Sequence, residues 1–271
     1  MSTRNDEIPL SKRVLVYGIP GMENIEVRQD IAYRTTDDGP LTMDVYYPPS
    51  GSRAPVPAAI FVIGYPDAGF RKHLGCCAKE MALSKSWGQV VAASGIAAIT
   101  YTNREPVEDT LALIQYVRDN AAALGIAGDR IGLWAGSGNS PLALFVLMQG
   151  AKDFLRCAVL DCPCTLDIDG STGIAEASKT YGFVNPCAGK SVDDLPDNIP
   201  LFIARAGQDQ VPHLNEALDR FIAKALANNL PLTFANHATA PHAFEIFDDS
   251  PSSRELIRQM LGFMKFNLGS I

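Results

Sequence analysis

The stretch Ile131-Gly132-Leu133-Trp134-Ala135-Gly136-Ser137-Gly138-Asn139-Ser140-Pro141-Leu142-Ala143-Leu144 constrains this chain more than any other. Ile131 to Trp134 is apolar and follows the turn signal Ala127-Gly128-Asp129-Arg130, as a buried strand does. Gly136 and Gly138 flank Ser137 and permit a sharp reversal. Pro141 to Met148 is mostly apolar and helix-forming, which predicts a buried helix. A serine on such a strand–turn–helix projects its hydroxyl above the end of a sheet, where a base can reach it.

This is the physics of the nucleophile elbow, with two departures. Strand and helix nearly touch there, so small residues are needed two places either side of the serine. Those places hold Ala135 and Asn139. Alanine adds one methyl. Asparagine is larger and predicts strain or a local adjustment, eased by its tolerance of left-handed backbone. Ser140 competes with Ser137 for the nucleophile's place. The residue after a nucleophile must donate its N–H to the oxyanion, and Pro141 has none. Gly138 has one and no Cβ to obstruct it, so Ser137 is the candidate and Ser140 belongs to the first helical turn.

A length of 271 residues, 47% hydrophobic and 20% charged, suits a globular chain with a sizeable core. A net charge of −7 argues against nucleic acid and anionic membranes as partners. No apolar run reaches transmembrane length, and residues 1 to 7 lack a signal-peptide pattern, so a cytoplasmic location is expected. The six cysteines form no C-x-x-C pair and read as reduced, mostly buried thiols. No metal and no cofactor is expected.

In chain order, residues 1 to 24 form a polar, Gly/Pro-punctuated arm, packed on the domain or on a partner subunit. Residues 25 to 271 read as one domain. Ile25–Arg34 and Leu41–Tyr47 read as a hairpin, with Pro48 to Ser52 a loop. Ala58–Ile63 suits a strand covered on both faces, and a loop over 64–70 follows. Further strands are expected at Ile96–Tyr101, Cys157–Leu160, Leu201–Ala204 and Leu232–Ala235. Helices are expected at Lys79–Ser94, Val107–Leu124, His213–Ala227 and Ser252–Leu268. The alternation predicts an α/β chain with a mostly parallel sheet, helices on both faces and an antiparallel hairpin first. Residues 165 to 198 differ in texture, with a weak helical patch at Ile174–Tyr181, and read as a small lid-like insertion.

A serine needs a base, and the base an orienting acid. In parallel sheets such groups gather after the carboxyl ends of strands. Of four histidines, His73 follows the first parallel strand and His213 opens a helix. His237 sits at a strand end, whereas His242 stands in a loop able to reach Ser137. Asp209, the first carboxylate past Leu201–Ala204, is the candidate acid, with Asp161 its alternative. The order Ser137, Asp209, His242 matches that of a known triad. Besides Gly138, backbone N–H groups of Tyr65, Asp67 or Ala68 are candidate oxyanion donors. Tyr65, Phe70 and Cys162 are candidate pocket residues.

The chain over residues 25 to 268 resembles the α/β-hydrolase superfamily, in its dienelactone hydrolase-like and acetyl-esterase-like branches. The residues that carry the resemblance are Leu41-Thr42-Met43-Asp44-Val45-Tyr46-Tyr47-Pro48, Asp129-Arg130-Ile131-Gly132-Leu133-Trp134, the elbow, Gly207-Gln208-Asp209 and His242-Ala243-Phe244. It implies a sheet of about eight strands with the hairpin at one edge. It also implies Ser137 as nucleophile, Asp209 as orienting acid and His242 as base, acting on a small carboxylic ester. Gly64-Tyr65-Pro66-Asp67 stands where many relatives have a His-Gly motif. A lactone, thioester or peptide hydrolase on the same triad is the nearest alternative. A non-enzymatic ligand binder, kept open by Asn139, is the other, and a homodimer is left open.

Overall fold

The computed structural model describes residues 8–49, 55–150 and 153–269. Parts of the expected N-terminal arm and of the Pro48–Ser52 loop lie outside these. Eight strands make one sheet: β1 (Glu26–Thr36), β2 (Gly39–Tyr47), β3 (Val56–Phe61), β4 (Ala97–Tyr101), β5 (Ile126–Gly136), β6 (Leu155–Asp161), β7 (Leu201–Ala206) and β8 (Leu232–His237). Their spatial order is β1-β2-β4-β3-β5-β6-β7-β8. The β1–β2 hairpin is antiparallel, β2 meets β4 antiparallel, and every later pair is parallel. Strands β3 and β5 therefore lie at the centre, with their carboxyl ends side by side.

Nine helices flank the sheet among the described residues: α1 (Asp67–Leu74), α2 (Ala82–Ala93), α3 (Pro106–Asp119), α4 (Ala121–Leu124), α5 (Ser140–Met148), α6 (Gly173–Tyr181), α7 (Leu214–Ala227), α8 (Phe244–Phe247) and α9 (Pro251–Leu268). Side chains on β5 alternate between two cores, as the pleat requires. Ile131, Leu133 and Ala135 join the layer containing Leu142, Leu144 and Leu113. Trp134 points the other way, toward Trp87 of α2 and Met260 and Met264 of α9. Helix α5 is buried on nearly every side, which its unbroken apolar sequence permits. Helix α9 is amphipathic, is capped at its start by the Ser250 side chain and ends on left-handed Gly269.

Several boundaries differ from expectation for local reasons. Ala127 to Arg130, expected as a turn, lies inside β5, and the extra residues are absorbed as an irregularity opposite β3. The loop after β3 is shorter than expected, because α1 starts at Asp67. The helix expected over 107–124 breaks at Asn120 into α3 and α4. The described arm packs on its own chain: Leu15 is buried, its N–H donates to Ser86 Oγ, and the Val16 N–H donates to the Glu245 carbonyl. Arg13 lies over the Phe247 ring.

The loops after β7 and β8 are tied by backbone bonds, from Gly207 N–H to the His237 carbonyl and from Gln208 N–H to that of Ala240. Gly207 approaches Ala238 so closely that a Cβ would lie 2.7 Å from its carbonyl carbon. Backbone cannot swing aside as a flexible side chain can. Gly207→Ala is therefore expected to cost about 1–3 kcal/mol, as overpacking does, measured as a lowered urea midpoint with an unchanged slope. A midpoint equal to wild type would show that the two loops are not held this tightly.

Candidate active site

At the carboxyl end of β5 the chain makes a turn, Ser137–Asn139, and enters α5. Ser137 has φ 52°, a left-handed backbone that a non-glycine residue adopts only when its surroundings enforce it. Cys164 N–H donates to the Ser137 carbonyl, holding the turn against the segment after β6. The Ser137 Oγ lies 2.8 Å from His242 Nε2, and His242 Nδ1 lies 2.6 Å from Asp209 Oδ2. The Asp209 side chain is fully buried and its other oxygen accepts from the Val211 N–H at 2.9 Å. The loop that carries the ring is tied as well, because the His242 backbone N–H donates to Gln210 Oε1. Ser, Asp and His thus come from the loops after β5, β7 and β8, and the structure brings all three together. Such a chain of contacts lets the imidazole take the serine proton while the carboxylate fixes its tautomer.

The competing residues go elsewhere. Ser140 is fully buried in the first turn of α5, with Pro141 beside it. His237 is buried and spans Ser253 Oγ and Asp248 at the start of α9. His213 is exposed beside Glu216. Asp161 ends β6, where burial and the nearby Glu245 carboxyl push its pKa well up.

At Asn139 the turn shows a local adjustment and no left-handed backbone. Its backbone is right-handed helical, φ −79° and ψ −20°, and its side-chain oxygen accepts from the Gly64 N–H at 2.8 Å. The end of β3 and the turn are so close that a Cβ on Gly64 would lie 2.9 Å from the Gly138 carbonyl oxygen. The amide bridges this contact. Gly138 is equally confined, since a Cβ there would collide with the Tyr65 hydroxyl and the Phe183 ring.

One of the candidate oxyanion donors after β3 is engaged elsewhere. The Asp67 N–H is taken by Asn103 Oδ1. Asp67 and Asn103 form a reciprocal pair, with Asn103 N–H donating to Asp67 Oδ2 and Asn103 Nδ2 to the Ile63 carbonyl. Ala68 lies in the first turn of α1, where helix N–H groups have no intrahelical partner. Tyr65 also turns its hydroxyl toward Gly138 and Ser137. Burial pushes this phenol's pKa up, while the Ser137 side chain acts weakly the other way. Phe70 and Phe183 hold its ring edge-on at 5.6 and 5.7 Å.

A cavity of about 350 Å³ opens beside Ser137 and His242. Of the candidate pocket residues, Phe70 and Cys162 line it and Tyr65 lies outside its lining. Phe61, Trp87, Trp134 and Phe247 line it as well, with Leu10 from the arm. No lining residue comes from 165–198. That insertion packs on the other side of the turn, where Phe183 joins Cys164, Ile174 and Leu214 and Val184 N–H donates to the Gly64 carbonyl. The Cys162 Sγ, Asp209 and His242 ligand atoms lie within 4.8 Å of one another. Burial, with the neighbouring Asp161, Glu245 and Asp209 carboxyls, pushes the Cys162 thiol pKa up. All six cysteines are unpaired, and five are buried.

No family model and no curated protein matches the sequence. Solved structures do. A mutant of the α/β-hydrolase LAE6 from the metagenome of Lake Arreo, Spain, superposes with TM-score 0.69 at 17% identity, over 90% of this chain and 83% of that one. Native esterase 2 of Thermogutta terrifontis gives 0.63 at 20% identity, over 91% and 92%. That esterase has also been solved phosphonylated by sarin. Brefeldin A esterase, a bacterial homologue of human hormone sensitive lipase, gives 0.68 at 16% identity, over 98% and 83%.

Glu245, one residue into α8, is a site residue that the sequence reading did not reach. Burial raises its carboxyl pKa, with nearby His242 acting weakly in the opposite sense. An acid raised in the folded state binds protons that the unfolded chain releases. Its stabilising share is present at low pH and is lost as pH rises from about 4.5 through the folded value. Glu245→Gln is therefore expected to gain stability relative to wild type between pH 4.5 and 8, read from urea midpoints. A constant difference across that range would contradict this. The sheet order, the crossovers and the strand-end loops together are the α/β-hydrolase fold.

Proposed function

We propose that the protein is a serine hydrolase of small carboxylic esters, related to the dienelactone hydrolase-like and acetyl-esterase-like branches of its fold. The observation that carries this is the unbroken contact from Ser137 Oγ through His242 to buried Asp209, set on a left-handed serine at the edge of an apolar cavity. His242 takes the proton from Ser137 as Oγ attacks the ester carbonyl and then returns it to the leaving alcohol. Water, deprotonated by the same imidazole, releases the acid from Ser137. The Gly138 N–H and the Tyr65 hydroxyl stabilise the oxyanion, the second in the place that backbone amides fill in many relatives. The non-enzymatic alternative rested on Asn139, and the bond from Gly64 to that side chain removes its ground. Esterases share this fold, and one has been solved phosphonylated by sarin, which favours the same reading.

Ser137→Ala and His242→Ala are each expected to lower kcat for a short chromogenic acetate by about 10³-fold or more, since they act as a unit. Tyr65→Phe should lower kcat by about 10²- to 10³-fold with KM little changed, as loss of one oxyanion donor does. Full turnover by Ser137→Ala would end the proposal. An unchanged kcat in Tyr65→Phe would move the second donor elsewhere.

A further inference from the structure

The cavity beside Ser137 is mostly apolar, yet two carboxyls line it that the triad does not use. Asp161 ends β6 and is 3% exposed. Glu245 in α8 is 9% exposed, and its Oε2 has no hydrogen-bond partner. The segment carrying Glu245 is fixed, because its carbonyl accepts from Val16 of the arm at 2.9 Å. No lysine or arginine is among the described residues lining the cavity. The other titratable side chains there are those of His242 and Cys162, with Asp209 behind them. Phe61, Trp87 and Trp134 also line the cavity, with ring centroids 4.3 Å apart for the two tryptophans and 5.8 Å for Phe61 and Trp134.

An unpaired buried carboxyl is costly, and a well-packed apolar residue in its place would be more stable. A ligand that supplies the missing donor and the missing positive charge removes that cost. An ammonium group does both, and aromatic faces accept it favourably. We infer that the cavity selects esters bearing a primary ammonium group, whose N–H bonds to Glu245 Oε2 beside the Asp161 carboxyl. This deepens the hydrolase reading and rests on it for the word ester, but the binding step stands on the cavity alone.

Ligand-observed NMR titration of the intact protein with butylammonium chloride and with butan-1-ol, at pH 8 and matched ionic strength, tests the binding step without turnover. Wild type is expected to bind butylammonium about tenfold more tightly than the alcohol, the margin of a charge-assisted contact over a neutral one. Glu245→Gln should abolish that preference while keeping its circular dichroism, and Asp161→Asn should reduce it. Equal affinities in wild type, or a preference that survives Glu245→Gln, would overturn the inference. Should Glu245→Gln not fold, Glu245→Asp withdraws the same charge by one methylene and is expected to weaken the preference; an undiminished one would overturn it too. Hydrolysis then extends the test: kcat/KM for 6-aminohexyl acetate should exceed that for heptyl acetate in wild type and not in Glu245→Gln. Binding without any hydrolysis would refute the esterase reading and leave the ammonium site standing.

Discussion

Everything at the site depends on one strained residue. Ser137 is held at φ 52°, a conformation costing on the order of 1–3 kcal/mol for a residue with a side chain. The surroundings over-determine it. Asn139 anchors to Gly64, the Ser137 carbonyl accepts from Cys164, and Phe183 with the Tyr65 hydroxyl leaves Gly138 no room for a side chain. Three segments separated in sequence thus pin a single turn. With the turn fixed, the hydroxyl meets His242 without further adjustment, and the central position of β3 and β5 places the Tyr65 loop directly beside it.

The same economy runs through the loops that bear the other groups. The strand-end loops after β7 and β8 are bonded to each other before either reaches the site, so Asp209 and His242 arrive as one unit. The loop after β3 is fastened by the Asp67–Asn103 pair and by Tyr101, whose hydroxyl accepts from the Ile63 N–H. These are hydrogen bonds in buried surroundings, where leaving a partner unmade is expensive. They set geometry more than they add stability.

Ser137, Asp209 and His242 were legible in the sequence because each follows an apolar strand and their order is restricted. Pro141 excluded Ser140 through a missing N–H, an argument that needs no structure. The role of Asn139 was not legible. Whether its side chain strains the turn or bridges to Gly64 depends on how near β3 comes, and no local pattern carries that distance. Asp67 looked like a free loop donor because α1 is short and polar and announces itself weakly. Tyr65 was legible as a site residue but not by its hydroxyl, since the side-chain direction is set by Phe70 and Phe183, the latter over a hundred positions away. The insertion at 165–198 was visible as a change of texture. That it packs behind the turn and leaves the cavity to the arm, α2 and α8 follows only from tertiary contacts.

In the proposed reaction Ser137, and no other serine, is activated by the imidazole beside an oxyanion hole. An organophosphonate forms a stable adduct only with such a serine, so peptide mapping of the labelled protein measures this activation directly. A single adduct on Ser137 is expected, formed at a similar rate in Ser140→Ala and absent in His242→Ala. An adduct on Ser140, or a folded protein that is never labelled, would contradict it.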